Sequence, residues 1–470
     1  MPTQTTLLED LGRIVGPSQV MDGPDISSAY LEEPRGLYKG VARALVRPST
    51  TGEVAQIARY CFERRIALIP QGGNTGLVGG QVPDATGTQI ILSLTRMTRV
   101  RDCDLDANVL TIEAGATLNQ VQEMAEKADR LFPLSLASEG SCTIGGNLAT
   151  NAGGTAVLAY GNARDLVLGV EVVLADGRIL PLLTKLKKDN TGYDLKHLFM
   201  GSEGTLGIIT AASLKLFPKP RAVETAIIGL ASPQKALDLL RLAQNHCGSA
   251  LKTFELVPRI GIQFVLSHAP NTREPMAGIH AWYVLLELAD MSESGLNARL
   301  EELMALAMES EILEDATIAT SLQQRESFWG LRESLPLVQG KEGGSIKHDV
   351  SVPIAQVPYF LTRVEAAVLQ AMPGARLVAF GHLGDGNIHC NVSQPIGANK
   401  AEFLSRWQEI NQIVHAIVAE IGGSISAEHG IGQLKRALLR EVKDPTTLAV
   451  MHAIKDLLDP HAILNPGKVL

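Results

Sequence analysis

Cysteine is scarce in this sequence. The 470 residues contain five, Cys61, Cys103, Cys142, Cys247 and Cys390, odd in number, widely spaced and without a Cys-x-x-Cys pair. That pattern excludes a disulfide framework and a thiolate zinc site, and predicts reduced, mostly buried thiols. Positive charge is in deficit as well: 42 Lys and Arg stand against 50 Asp and Glu, a net charge of −8. With no overall positive field, nucleic acid and anionic membrane surfaces are excluded as partners, and any anionic ligand has to be met by local groups. Nowhere do about 18 apolar residues run together, so no transmembrane segment is expected. Residues 1–16 carry Glu9, Asp10 and Arg13 where a leader would have a basic stretch followed by an apolar one. The expectation is a cytoplasmic protein. Low-complexity segments and short-period repeats are absent, and 45% hydrophobic with 20% charged residues is an ordinary globular composition. The length allows about three domains of roughly 150 residues, or two large ones.

The local signals alternate between strand and helix. Thr50 to Glu53 has capping-box spacing, followed by Val54, Ile57, Ala58 and Cys61 on one helical face. Ala67 to Pro70 reads as a buried strand that empties into a glycine-rich loop. Thr117 to Gln120 is a second capping box, ahead of Leu118, Val121, Ala125 and Ala128. Asp176-Gly177, flanked by 167–174 and 179–182, signals a hairpin. After Phe217-Pro218-Lys219-Pro220 the texture changes, which marks a domain boundary. Strand, helix and strand follow at 224–230, 233–245 and 251–256, and again at 281–288, 294–309 and 315–319. This order suggests an α+β domain whose sheet carries helices on one face. A long amphipathic helix is predicted over 400–421, stopped by Gly422-Gly423, with a turn-like tail at 464–468.

Glycine is concentrated in three segments, 70–80, 140–154 and 201–207, which hold 13 of the 44 glycines. Such loops let main-chain N–H groups form a nest and let the backbone approach a phosphate or a flat ring. None has the G-x-G-x-x-G or G-x-x-x-x-G-K-[ST] spacing, so neither a Rossmann dinucleotide site nor an NTPase loop is supported. The implied ligand bears phosphate and is held another way.

The segment 380–392, FGHLGDGNIHCNV, reads as a hairpin. A two-residue turn at Asp385-Gly386 pairs 384 with 387, 383 with 388 and 382 with 389. His382 and His389 would then stand opposite each other with Cβ atoms roughly 4.5–5.5 Å apart, close enough to converge on one ion. Asn391 falls on the same face. Glu428-His429 adds a carboxylate and a third imidazole in a glycine-flanked loop.

Taken in order, PQGGNTGLVGG, IGGNLATNAGG, GSEGTLGIIT, GHLGDGNIHCNV, SAEHGIG and LNPGK resemble the FAD-linked flavoproteins of the vanillyl-alcohol oxidase type. Within them the sequence is most similar to the D-2-hydroxyacid dehydrogenases, the D-2-hydroxyglutarate enzymes above all. The resemblance implies an FAD-binding domain of two α/β subdomains over 1–220. It also implies a substrate and metal domain over 221–429 with an antiparallel sheet flanked by helices, and a segment 430–470 returning to the flavin. Pro70, Gln71, Gly72, Gly73, Asn74, Thr75 and Gly76 would cradle the pyrophosphate. Ser138, Gly140, Thr143, Gly145, Asn147, Asn151 and Gly153 would line the adenosine and flavin side, with Glu203, Gly204, Ile209, Asn465 and Lys468 near the cofactor. Relatives that tether the flavin covalently often have a histidine where Asn74 stands, so non-covalent FAD is expected.

The same resemblance makes His382, His389 and Glu428 ligands of a divalent metal, usually zinc, with manganese or iron also compatible with these donors, and makes His429 the base. An imidazole of ordinary pKa, about 6.5, serves that role near neutral pH. The implied reaction is oxidation of a D-2-hydroxy acid: His429 takes the hydroxyl proton, flavin N5 receives the hydride, and Asn391 is assigned to the α-carboxylate. Arg332 and Lys347 would grip a second carboxylate, although the threonine that assists this grip in some relatives is replaced by Pro336. D-2-hydroxyglutarate is therefore the expected substrate. A D-lactate or glycolate-type dehydrogenase and a non-catalytic flavin-binding subunit are the alternatives. Electron-transfer flavoprotein or a quinone is the expected acceptor, and a homodimer the expected assembly.

Overall fold

Capping chemistry starts the helices where the sequence places it. Thr50 accepts the Glu53 N–H at 3.2 Å and opens the helix Thr51–Arg64. The reciprocal half of that expected box is displaced by one residue, because the Glu53 carboxylate takes the Ser49 N–H at 2.6 Å. At Thr117 both halves form, ahead of the helix Leu118–Lys127.

The computed structural model describes residues 2–470, and the chain divides into two units. One comprises the chain up to Gly153, Gly161–Pro218 and His429–Leu470; the other is Gly154–Tyr160 with Lys219–Glu428. The first unit contains two main sheets. Four strands run in the order Val20–Asp22, Ala44–Val46, Ile90–Ser93, Leu68–Gln71, the last three mutually parallel. Ala44–Val46 and Ile90–Ser93 are buried throughout, as parallel strands covered on both faces are. The returning segment joins this sheet edge: Leu68 donates to the Ile463 carbonyl at 2.8 Å and accepts from the Asn465 N–H at 2.9 Å. The second sheet is antiparallel, ordered Val100–Asp104, Val109–Glu113, Ile208–Lys215, Val167–Val173, Ile179–Leu182. Its last hairpin turns at Asp176-Gly177, with Gly177 at φ 82°.

The second unit is built on one eight-stranded sheet with antiparallel pairings. Its order is Asp315–Ile318, Ala222–Leu230, Trp282–Asp290, Leu251–Pro258, Arg376–His382, Asn387–Ser393, Ser345–Ile346, and Asp349–Ser351 also pairs with Asn387–Ser393. Helices cover both faces, correcting the expectation of one. Ile228, Val284, Leu286, Phe254 and Leu256 pack with the helices Pro233–Cys247 and Leu296–Glu309. The alternating residues Ile227, Tyr283, Leu285 and Val257 pack with Arg259–His268 and Leu322–Val338. The physical reason is that these strands are apolar at successive positions, so each side demands a cover. The long helix predicted over 400–421 is interrupted at Arg406, giving Lys400–Ser405 and Trp407–Glu420. The Arg406 side chain is drawn to the Ala371 carbonyl, at 2.9 Å, and to Glu409.

All five cysteines are free, and four of them are buried. Among the described residues no helix is long and apolar enough to cross a membrane.

Candidate functional site

The hairpin forms, but its register differs from the expected one by two residues. His382 pairs with Asn387, Gly381 with Ile388 and Phe380 with His389. The turn is longer because residues 382–386 close as a helix-like turn, with the Gly386 N–H on the His382 carbonyl at 3.1 Å. Gly386 takes φ 84°, and a Cβ there would lie 2.2 Å from the Val352 carbonyl oxygen. His382 and His389 are therefore diagonal neighbours and not directly opposed. A two-residue slip preserves the face of every side chain, so their rings still meet, with centroids 5.6 Å apart and planes at 77°. Phe380 is the residue opposite His389, at a centroid distance of 5.2 Å.

The residue directly across from His382 on its other side is Glu255, in the strand Leu251–Pro258. Glu255 is fully enclosed, yet both of its oxygens are satisfied. Oε1 lies 2.6 Å from His382 Nδ1, and Oε2 accepts from Arg332 Nε at 2.8 Å. Burial pushes the Glu255 carboxyl up, but the charges and hydrogen bonds of His382 and Arg332 together outweigh it and hold it down to about 2. Burial alone would depress His382; Glu255, with a contribution from Glu428, raises it to about 9. Arg332 is itself buried, on the helix Leu322–Val338, with its guanidinium 4.9 Å from the Phe380 ring centroid. Lys347 Nζ reaches the carbonyl of Pro336, one turn further along that helix, at 3.5 Å. Asn391 Nδ2 donates to Gln339 Oε1 at 2.8 Å.

A second buried acid completes the cluster. Asp349 pairs across the sheet with His389. Its carboxylate accepts from Asn387 Nδ2 at 3.0 Å and from the Glu428 N–H at 2.9 Å. Asp349, His389 and Glu428 present donor atoms within 4.8 Å of one another. His382 Nε2 lies 3.6 Å from Glu428 Oε1, an oxygen that also accepts the Gly154 N–H at 2.5 Å. Burial pushes the Glu428 carboxyl up; His382 opposes this and Asp349 reinforces it. Two converging carboxylates with two imidazoles form a donor set that fits zinc, manganese or iron, and a cation would relieve the crowding of acids. His429, the next residue along the chain, opens the segment that returns to the first unit.

In the first unit the glycine loops stack on one another. A Cβ on Gly72 would lie 2.2 Å from Thr143 Oγ1, and one on Gly73 would lie 1.7 Å from the Ser141 carbonyl oxygen. These two glycines are thus required by contact between the first and second loops, a reason distinct from ligand approach. Pro70 and Gln71 end the strand Leu68–Gln71, and Gln71 Nε2 donates to the Tyr30 and Gln81 carbonyls. Asn74 sits at φ 55° and donates to the carbonyls of Ala29 and Glu32. In the second loop Thr143 caps the helix Ile144–Ala149, a Cβ on Gly145 would lie 2.8 Å from Ala114 Cβ, and Gly140 faces open space. Asn147 donates to Cys142 Sγ, and Asn151 Oδ1 accepts the Arg164 N–H. The Glu203 carboxylate takes the N–H groups of Ile431 and Gly432 at 2.7 and 2.8 Å, while Asn465 Nδ2 donates to the carbonyls of Gly80 and Glu203. Ile209 is buried in the sheet opposite Val172, and Lys468 is lowered to about 8 chiefly by burial. Buried amide oxygens of Gln71, Asn74 and Asn465 have no protein partner. Unmatched acceptors call for donors, which the hydroxyl and N–H groups of FAD would supply and its pyrophosphate would not; the phosphates suit main-chain N–H groups of the glycine loops.

Glu255, Asp349 and Gln339 were not among the sequence candidates. Glu255 alone left a signal, a single acid inside the apolar strand LKTFELVP.

Residues 42–182 match the model of the FAD binding domain, and residues 219–469 match that of the FAD linked oxidases, C-terminal domain. The protein is thus an FAD-dependent oxidoreductase. The chain belongs to the FAD-linked oxidase family. It is 39% identical to the mitochondrial D-2-hydroxyglutarate dehydrogenase of Danio rerio, covering all of this chain and 86% of the relative. It is 36% identical to the D-2-hydroxyglutarate dehydrogenase of Xanthomonas citri pv. viticola, covering 91% and 89%. Among solved structures, p-cresol methylhydroxylase with substrate bound superposes with a TM-score of 0.79 at 16% identity, covering 99% of this chain and 96% of the other. That last likeness concerns the fold.

Proposed function

We propose that the protein oxidises a D-2-hydroxy acid, D-2-hydroxyglutarate first among them, to the 2-oxo acid. The observation that carries this reading is the convergence of His389, Glu428 and the buried Asp349, with His382 beside Glu428 and linked through Glu255 to a buried arginine. It stands in a chain whose relatives bear that dehydrogenase's name.

His382, His389 and Glu428 would hold a divalent ion, zinc by donor type, whose chemistry is to acidify a bound hydroxyl. FAD supplies the two-electron acceptor for the hydride leaving C2. The residues of the chain then divide the work. An imidazole nitrogen of His429 takes the hydroxyl proton. Asn391 Nδ2 donates one N–H to Gln339 Oε1, and its other N–H is directed to the α-carboxylate. Arg332 commits Nε to Glu255, which leaves both Nη groups for the distal carboxylate in a bidentate grip. Lys347 adds a second positive charge there. Proton and hydride together account for the two hydrogens lost as the alcohol becomes a ketone.

The FAD is held non-covalently, because Asn74 stands where a tethering histidine would, and its amide is engaged with two backbone carbonyls. Electron-transfer flavoprotein or a quinone is the proposed acceptor and a homodimer the proposed assembly. A cytoplasmic setting accords with five unpaired thiols. The test is anaerobic mixing of the yellow, metal-loaded protein with D-2-hydroxyglutarate, its L enantiomer, D-malate, D-lactate and glycolate. Flavin bleaching fastest with D-2-hydroxyglutarate is expected. Faster bleaching with D-lactate refutes the substrate, and none with any D-2-hydroxy acid refutes the reaction.

A further inference from the structure

We propose that Glu255 is a positioning residue that fixes, one on each oxygen, the metal-ligand imidazole of His382 and the substrate-gripping guanidinium of Arg332. The inference rests on the functional reading above, which gives those two side chains their roles. Glu255 occupies the middle of an apolar strand and is fully enclosed, flanked by the core residues Phe254 and Leu256. A carboxylate persists in such a place only when it is fully paired. Its pairing with His382 is set by the ladder itself, since the two residues are direct cross-strand partners, so backbone geometry brings Oε1 to Nδ1.

An ionised carboxylate only accepts, so the proton on His382 Nδ1 is specified by Glu255. That leaves Nε2 as the ring's donor atom for a metal, and Nε2 is the nitrogen that faces Glu428 at 3.6 Å. On the other oxygen, the Arg332 Nε–H bond at 2.8 Å fixes the rotation of the guanidinium plane, and the Phe380 ring lies beneath it. Neither side chain can turn without releasing the same carboxylate. The recognition of a distal carboxylate and the affinity for the metal are thus joined through one residue. A merely structural Glu255 would change stability while leaving metal affinity and the preference between mono- and dicarboxylates untouched.

The experiment uses the full-length FAD-loaded protein, with Glu255→Gln and Glu255→Asp. Zinc affinity is read by competition with a chromophoric chelator, and KM is measured for D-2-hydroxyglutarate and for D-lactate. Glu255→Gln presents one acceptor and one donor where two acceptors are needed. It is expected to weaken zinc binding by roughly 10–100-fold and to raise KM for the dicarboxylate more than for D-lactate, with flavin content unchanged. Glu255→Asp keeps the charge but withdraws it by one methylene, so it loses at least one of the two contacts and is expected to show the corresponding change in zinc affinity or KM ratio; if Glu255→Gln does not fold, this variant decides alone. Zinc affinity and a KM ratio both indistinguishable from wild type overturn the inference. A His382→Ala control separates the readings. Zinc lost there but retained in the Glu255 variants sinks the inference alone, whereas zinc bound normally by His382→Ala, or not at all by wild type, sinks the metal assignment and the inference with it.

Discussion

Replacing Arg332 by Met tests its proposed role, recognition of a second carboxylate, apart from the chemistry at C2. Methionine suits the helix Leu322–Val338 and fills much of the arginine's volume among Phe380 and its neighbours, so the backbone is kept while the charge goes. Two costs follow from the structure. Glu255, fully enclosed, loses one of its two cationic partners. Breaking a buried pair from one side costs about 3–5 kcal/mol, which denaturant unfolding of the apoprotein will show as a lower midpoint. The second cost is borne only by dicarboxylates. Each hydrogen bond to a charged group contributes about 1.5–3 kcal/mol, so a lost bidentate grip of about 3 kcal/mol or more lowers kcat/KM for D-2-hydroxyglutarate by at least about 100-fold. D-lactate has no distal carboxylate and loses only what the disturbed Glu255 costs. Dye-coupled steady-state rates on both acids give the ratio of kcat/KM, which should fall by about two orders of magnitude. Arg332→Lys should fall between, since one ammonium cannot both hold Glu255 and fork around a carboxylate. An unchanged ratio in Arg332→Met, however large the common loss, refutes the placement of the distal carboxylate at this residue.

Removal of the metal and removal of its ligands should agree. Dialysis against a strong chelator, and His389→Ala, are each expected to abolish turnover while the flavin absorbance persists; added zinc or manganese should rescue only the dialysed wild type, and full activity in His389→Ala would exclude that residue as a ligand. In the first unit, Gly73→Ala forces a methyl to within 1.7 Å of the Ser141 carbonyl oxygen and is expected to yield protein depleted of FAD. Gly52→Ala, outside the glycine loops in the helix Thr51–Arg64, meets only Thr50 Oγ1 at 3.9 Å, so its flavin content should match wild type; a flavin content in Gly73→Ala equal to that of Gly52→Ala would show that loop stacking is not what Gly73 protects.

How much was legible depended on whether a feature is local. The strands and helices at 222–258 and 282–318 follow from apolar periodicity and from caps such as Ser232, whose side chain accepts the Lys235 N–H, whereas the helix Arg259–His268 was not predicted. The hairpin at 380–392 was legible as a hairpin, but the extra turn at 382–386 moved its register. The two histidines kept a common face only because the slip was an even number of residues. Glu255 was not legible in its role, because its partners lie 77 and 127 residues away along the chain. Asp349 was hidden for the same reason, as its carboxylate answers Asn387 and the Glu428 N–H. At Gly72 and Gly73 the residue type was informative and the cause was not: the missing side chains make room for Ser141 and Thr143.

The discontinuity of the first unit has a consequence for biogenesis. Leu68 finds its bridge partner in Leu464, nearly 400 residues downstream, and the Glu203 carboxylate waits for the amides of Ile431 and Gly432. At roughly 5–20 residues per second on the ribosome, tens of seconds separate the emergence of that sheet edge from the arrival of the strip that seals it. Until that strip arrives the β-edge at Leu68 stays unpaired and the Glu203 carboxylate is hydrated by water, so this unit cannot close before residue 464 has been made.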